Sequence, residues 1–252
     1  MMINNSREGK METRMKASRP LNILGLGEPF ATRWSLALTF GALVYVGYRL
    51  ANPLIVRQFD VSTQIAYTIS IYYGFSVLLM LSLFGIHKLF CFPDIRVFGD
   101  IRRKYVMHGL LAVTLLYITT HGIELWLGQS RETTMVLLYS QKTLTQNIVM
   151  VISLLILPPI VEELAFRHFL LSVLPFNANR KIALIAIVAT FALFSVQHHY
   201  DYLTTYLLLF VLGIVFALAR IRSNGLALPI ILHSYAIALA LICDQIIMYI
   251  EN

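Results

Sequence analysis

At 252 residues, 58% of them hydrophobic and only 13% charged, with a mean hydropathy of +0.72, the chain is too apolar for an ordinary soluble domain, where about 25% of residues are charged. The net charge of +7 does not point to nucleic acid, because the basic residues cluster between apolar segments, where membrane topology explains them. The two cysteines, Cys91 in a basic loop and Cys243 deep in the last apolar segment, imply no disulfide framework.

Residues 1–33 are polar and basic and lack the apolar core and small-residue cleavage site of a signal peptide. They read as a cytoplasmic tail that is disordered or lies on the anionic inner surface. Residues 34–252 read as one all-α polytopic transmembrane helix bundle. A span needs about 20 apolar residues, and seven candidates follow in order: 34–55, 65–86, 106–127, 144–161, 182–198, 204–219 and 226–250. The apolar stretch 164–174 is too short to cross and reads as a turning second half of the fourth helix, so an eighth span is an open count.

Lys88, Arg96, Arg102, Arg103, Lys104, Arg180, Lys181, Arg220 and Arg222 fall on the side of the basic N-terminus. Arg49, Arg57, Arg131 and Lys142 are left for the other side. This positive-inside bias predicts a cytoplasmic N-terminus and, with seven spans, an external C-terminus. The localisation expected is the inner or plasma membrane of a bacterium, and the lipid bilayer is a partner.

The segment Pro158-Pro159-Ile160-Val161-Glu162-Glu163-Leu164-Ala165-Phe166-Arg167 carries the chemistry. A charged side chain at mid-bilayer costs roughly 2.5–3.5 kcal/mol on translocon scales, so intramembrane ionisable groups face a protein interior or wet cavity and mark function. The adjacent prolines predict a helix break, with Glu162 and Glu163 near the positive end of a restarted helix; a plain proline kink is the bland alternative. Glu163 and Arg167 are four apart and share a helix face. Glu162 points about 100° away and is the freer carboxylate, hence the candidate base. A structural ion pair with a spare glutamate remains the alternative.

His198 closes the fifth apolar segment one turn after Phe194, and His233 lies near the start of the last, after Pro229. Each alone reads as easily as an interfacial or helix–helix hydrogen-bonding residue. Three segments that each bring ionisable groups make a shared site the better reading. A carboxylate and an imidazole can deprotonate water as it attacks a carbonyl, and a second imidazole can stabilise the oxyanion. No G-x-S-x-G or His-Glu-x-x-His motif is present. No cofactor or metal ligand is assigned, although Glu162, His198 and His233 are chemically able to hold a metal.

At these residues the chain resembles the CAAX protease and bacteriocin-processing enzyme (Abi) family, glutamate-dependent intramembrane endopeptidases that include the eukaryotic Ras-converting enzyme. Glu162, Glu163 and Arg167 match its first motif, two glutamates then arginine after three residues. Phe194 and His198 match the second. His233 matches the histidine of the third, and Ile237 stands where the family carries asparagine or aspartate. His168 follows the motif arginine where many relatives carry glycine. The resemblance covers about 144–250, expected to be the catalytic core.

The resemblance implies that Glu162 activates water with His198, that Glu163 and Arg167 position the site, and that His233 helps bind the oxyanion. The implied partner is a peptide or membrane-protein substrate, with no nucleic acid. Cleavage is expected near the cytoplasmic face, since Arg167 and the loop after it fall there, although a full crossing of 182–198 puts His198 on the other side. Two other readings stay open: a non-proteolytic scaffold or immunity protein in peptide export, and a proton-coupled transporter in which Glu162, His198 and His233 form a relay.

Overall fold

A computed structural model describes residues 34–91, 96–170, 180–196 and 198–251. The expected basic tail and the end of the 164–174 stretch lie outside them. The described residues are helical and contain no strand: α1 Trp34–Val46, α2 Asn52–Val56, α3 Val61–Ile86, α4 Arg103–Trp126, α5 Thr133–Tyr139, α6 Leu144–Glu162, α7 Arg180–Val196, α8 Leu203–Ser223 and α9 Ala227–Glu251. Three π-helical stretches extend or join them at Gly47–Ala51, His87–Cys91 and Glu163–Leu170.

Five helical segments are long and apolar enough to cross a membrane: Val61–Leu89, Arg103–Trp126, Leu144–Leu170, Leu203–Arg220 and Ala227–Ile250. The count of seven or eight is therefore not reached among the described residues. The two remaining expected spans fall on the first helical stretch, in which α1, a π-helical turn and α2 follow one another, and on α7, which has 17 residues.

The helix ends follow local chemistry. Asp60 caps α3 by accepting the Thr63 N–H at 3.0 Å, and the Ser62 and Thr63 hydroxyls hold its carboxyl well below the usual carboxylate range. Thr143 and Gln146 form a reciprocal capping box at the start of α6, which satisfies two otherwise orphaned donors. The expected break at Pro158-Pro159 does not occur, and α6 runs through both prolines to Glu162. Leu154 and Leu155 lose their helical donors to the two prolines. Leu154 and Pro158 both line a cavity, the setting in which such a loss is tolerated in a membrane helix. The helix then loosens into the π-helical stretch, so Leu144–Leu170 is one element of 27 residues, and 164–170 continues the fourth helix without a break.

Apolar helices gain little from burial against lipid, so polar contacts and close packing hold them together. Ser70 bonds Ser153 at 2.8 Å between α3 and α6. Thr114 bonds Tyr235 at 2.7 Å between α4 and α9. Asn52 bonds Ser76 in the core. One buried cluster gathers Phe40, Met80, Phe84, Val161, Phe169 and Phe194. A second gathers Val113, Leu212, Phe216, Leu228 and Leu232.

The loops sort to two ends. At one end Thr133 N–H donates to Asp201 at 2.7 Å, Asp201 N–H donates to Glu132 at 2.6 Å, and Arg131 forms a two-pronged pair with Asp244 at 2.8 and 2.7 Å. The Thr133 N–H holds the Asp201 carboxyl below its ordinary value. At the other end Asp100 N–H donates to Ser223 at 2.6 Å and Leu226 N–H donates to Val97 at 2.7 Å. This second contact needs glycine: a Cβ on Gly225 would lie 2.4 Å from the backbone of Gly99 and Phe98. Gly225→Ala is expected to lower stability by ~1–3 kcal/mol, the usual cost of overpacking, read as a lower unfolding midpoint in detergent.

Candidate active site

The site forms where the α6 helix turns π-helical. Glu163 and Arg167 are fully buried, with Arg167 Nη1 3.2 Å from Glu163 Oε1. None of the guanidinium nitrogens makes an aligned hydrogen bond among the described residues. The cation instead faces aromatic rings, with its central carbon 4.7 Å from Phe194, 5.5 Å from Phe216, 5.7 Å from Phe191 and 5.9 Å from Phe166. Ring quadrupoles attract a desolvated cation, so Arg167 is balanced by one carboxylate and an aromatic cage. Removing one partner of a buried pair strands the other charge. Arg167→Leu is therefore expected to cost ~3–5 kcal/mol, again read in the unfolding midpoint.

Glu163 Oε1 also bonds His233 Nδ1 at 2.9 Å. The other ring nitrogen, Nε2, lies 3.6 Å from Glu162 Oε2. His233 thus sits between two carboxylates, with Phe216 stacked on it at 4.9 Å. His198 Nδ1 lies 2.8 Å from the Phe194 carbonyl. A carbonyl only accepts, so Nδ1 carries the proton and Nε2 of the neutral ring is an acceptor. That Nε2 is 3.9 Å from Glu162 Oε2, a spacing at which a water can bridge.

The two oxygens of Glu162 have different settings. Oε1 accepts the Tyr73 hydroxyl at 3.2 Å. Oε2 faces both imidazoles and has no aligned partner among the described residues. The structure brings Glu162, Glu163, Arg167, His198 and His233 to one place. Glu162, His198, His233 and Ile237 line a cavity of about 220 Å³, room for several waters at roughly 30 Å³ each. Among the described residues no group of three or more His, Cys, Asp and Glu side chains is gathered as a metal site.

The sequence did not flag Tyr73, Tyr200, Phe216 or Arg220. Tyr200 lines the cavity and stacks on His198 at 6.0 Å. Burial and the charges of Glu162 and Glu132 push its phenol up to about 12, so it stays a protonated donor. Arg220 is buried within electrostatic reach of Glu163. The carboxylates lie nearer the end that carries the basic loops: Glu163 is late in Leu144–Leu170, and His233 is early in α9, which starts beside the Gly99–Gly225 contact. The cavity extends from there towards Thr134, Met135, Leu138 and Tyr200.

Carboxylates and imidazoles buried among membrane-length apolar helices define an integral membrane protein with an internal polar site. Residues 144–238 match the family model described as Rce1-like, type II CAAX prenyl endopeptidase Rce1-like. The resemblance to that family holds over this stretch, which supports a membrane protease kind. A relative described as an uncharacterized 24.3 kDa protein of Escherichia coli is 28% identical over 170 residues, covering 68% of this chain and 78% of the relative. No solved structure matches the chain.

Tyr73→Phe removes the hydroxyl that pins Glu162 Oε1. With a peptide substrate, kcat is expected to fall about 10- to 100-fold with KM held. A hydrogen bond to a charged group is worth ~1.5–3 kcal/mol, and each 1.36 kcal/mol is tenfold in rate. Steady-state kinetics beside an unfolding curve checks that the fold is kept.

Proposed function

We propose that the protein is a glutamate-dependent intramembrane endopeptidase that hydrolyses a peptide bond in a peptide or membrane-protein substrate. The observation that carries the reading is the facing of Glu162 Oε2 by two imidazole nitrogens, at 3.6 and 3.9 Å, inside a cavity bounded mainly by apolar side chains. Glu162 and His198 hold the attacking water between them. As the water oxygen bonds the scissile carbonyl carbon, its proton passes to Glu162. His233 is held through Nδ1 by Glu163, and in its protonated form it turns Nε2–H towards the new oxyanion. Glu162 then delivers the proton to the leaving nitrogen as the C–N bond breaks, which leaves an amine and a carboxylic acid, whose proton passes on to the amine or to solvent.

Arg167 touches no reacting atom in this scheme. It pairs with Glu163 at 3.2 Å, and Glu163 keeps His233 oriented. The aromatic and aliphatic walls exclude bulk water, which strengthens each charge interaction inside. The family's type II CAAX prenyl endopeptidase description makes a lipidated C-terminal peptide one substrate to try beside unmodified peptides.

The test is cleavage of a membrane-peptide library by purified protein in detergent or liposomes, with and without chelator. Glu162→Gln and His198→Ala are each expected to lower kcat by roughly 10²–10⁴-fold, the usual range for a general base, with chelator leaving the wild type unaffected. Loss of wild-type cleavage on chelation would move the site to metal chemistry. Full cellular activity of Glu162→Gln, with no peptide cleaved, would sink the protease reading.

A further inference from the structure

A second chamber adjoins the cavity that holds Glu162. It has a volume of about 80 Å³ and lies between α4, α8, α9 and the 129–132 loop. Tyr117, Met135, Tyr200, Leu209 and Ala240 line both spaces, so the two meet at a shared wall. The helix faces carry on from one to the other. On α9, Ile237 lines the catalytic cavity, Ala240 lines both and Asp244 lines the chamber, at the three- and four-residue steps that keep one helix face. On α4, Tyr117 stands at the junction, and His121 and Glu124 follow it into the chamber.

The charged groups of the chamber are Glu124, Glu132, Asp244 and Arg131, beside His121. Arg131 is committed to Asp244 by its two-pronged pair at 2.8 and 2.7 Å. Glu132 accepts the Asp201 N–H at 2.6 Å and the Thr205 hydroxyl at 2.5 Å. A hydroxyl has one proton, so Thr205 has none left for Glu124 Oε1, 3.4 Å away. The other Glu124 oxygen accepts from His121 Nδ1 at 2.6 Å. Glu124 thus keeps an acceptor oxygen without a donor among the described residues, on a side chain only 13% exposed.

The junction is short of donors as well. Tyr117 is 6% exposed and lines both spaces, and its hydroxyl makes no hydrogen bond among the described residues. The Tyr200 hydroxyl makes none either. A buried hydroxyl without a partner costs free energy. Each phenol has lone pairs for an incoming donor, and its ring face attracts a cation.

An ammonium or guanidinium group brings donors and no acceptor, which complements these unused oxygens. We infer that the chamber is a specificity subsite that takes a lysine or arginine side chain of the substrate, with Glu124 as its counter-charge and Tyr117 and Tyr200 along the approach. The inference deepens the protease reading above and rests on it. From His233 to Asp244 the α9 helix rises about 16 Å at 1.5 Å per residue. An extended peptide covers about 3.3 Å per residue, so the basic residue falls within about five residues of the scissile bond.

The experiment uses the full-length protein in detergent. A series of apolar peptides, acetylated and amidated so that no other charge is present, carries lysine at each position in turn, with norleucine and glutamate counterparts. At one position within about five residues of the cut, kcat/KM is expected to be about tenfold or more higher for lysine than for norleucine, the scale of a hydrogen bond to a charged group. Glu124→Gln keeps the shape of the side chain and removes its charge, and is expected to abolish most of that ratio. Glu124→Lys is expected to turn the preference towards glutamate. Each ratio is taken within one variant, so a change in folded fraction does not enter it. A wild type without lysine preference at any position overturns the inference, as does a preference that survives both substitutions.

Binding separates this inference from the protease reading. Glu162→Gln leaves every chamber residue in place, and fluorescence anisotropy of the same peptides, dye-labelled, gives Kd for each. If no peptide is cleaved by the wild type, the protease reading falls and the binding ratio decides the subsite. Lysine peptides bound about tenfold tighter than norleucine peptides support it, and equal Kd values at every position overturn it. Cleavage without lysine preference overturns the subsite and leaves the protease reading intact.

Discussion

Hiding the Arg167 guanidinium in the bundle is the constraint on which the site depends. A cation out of water needs compensation from every direction it faces. Glu163 covers one direction, and the rings of Phe166, Phe191, Phe194 and Phe216 cover the others. Those rings come from the π-helical stretch, α7 and α8, so three elements must converge for the charge to be tolerated. The reactive groups arrive with them. Phe194 is one turn before His198 and accepts its Nδ1–H. Phe216 stacks on His233. The geometry of the carboxylate–imidazole cluster is thus a consequence of packing around Arg167.

The change from α to π winding explains how adjacent glutamates acquire separate surroundings. Consecutive residues of a helix point about 100° apart, so one of the pair faces the cavity and the other the packed interior. Glu162 is the last α-helical residue and Glu163 opens the π-helical stretch. π-Helical insertions recur at functional sites, and here the loosened turn brings Glu163 within reach of both Arg167 and His233. One carboxylate is spent on structure, and its neighbour faces the cavity.

Motifs that place ionisable residues in apolar stretches were legible without coordinates, because such residues are costly in lipid and stand out by type. Glu162, Glu163, Arg167, His198 and His233, which the structure brings together, were singled out in that way. Tyr73 was not, because a tyrosine beside Tyr72 in an apolar helix looks the same whether its hydroxyl meets lipid headgroups or a carboxylate 89 positions away. Phe216 and Phe191 were hidden for a similar reason, since a cation–π partner has no signature apart from its target. The all-helical membrane character was legible from composition. The helix through Pro158-Pro159 was misread because a local rule, proline as breaker, was applied where a cavity-lining helix tolerates the lost donors. The span count rested on hydropathy edges, which fix where a span begins and ends only to within several residues.

Incomplete compensation of Glu162 gives the arrangement its chemical character. Glu163 has a guanidinium and an imidazole on a single oxygen. Glu162 has one phenol on Oε1 and longer approaches from two imidazoles on Oε2. A fully paired carboxylate has no free lone pair for a proton, whereas an unpaired buried carboxylate is too costly to stay ionised. Glu162 sits between these limits. The phenol fixes its orientation and offsets part of the burial cost, while Oε2 keeps a lone pair aimed into a space large enough for water. His198 can share that water because its own proton is already committed to the Phe194 carbonyl. The cluster therefore holds an acceptor pair around a donor-sized gap, the arrangement that the proposed hydrolysis needs before substrate arrives.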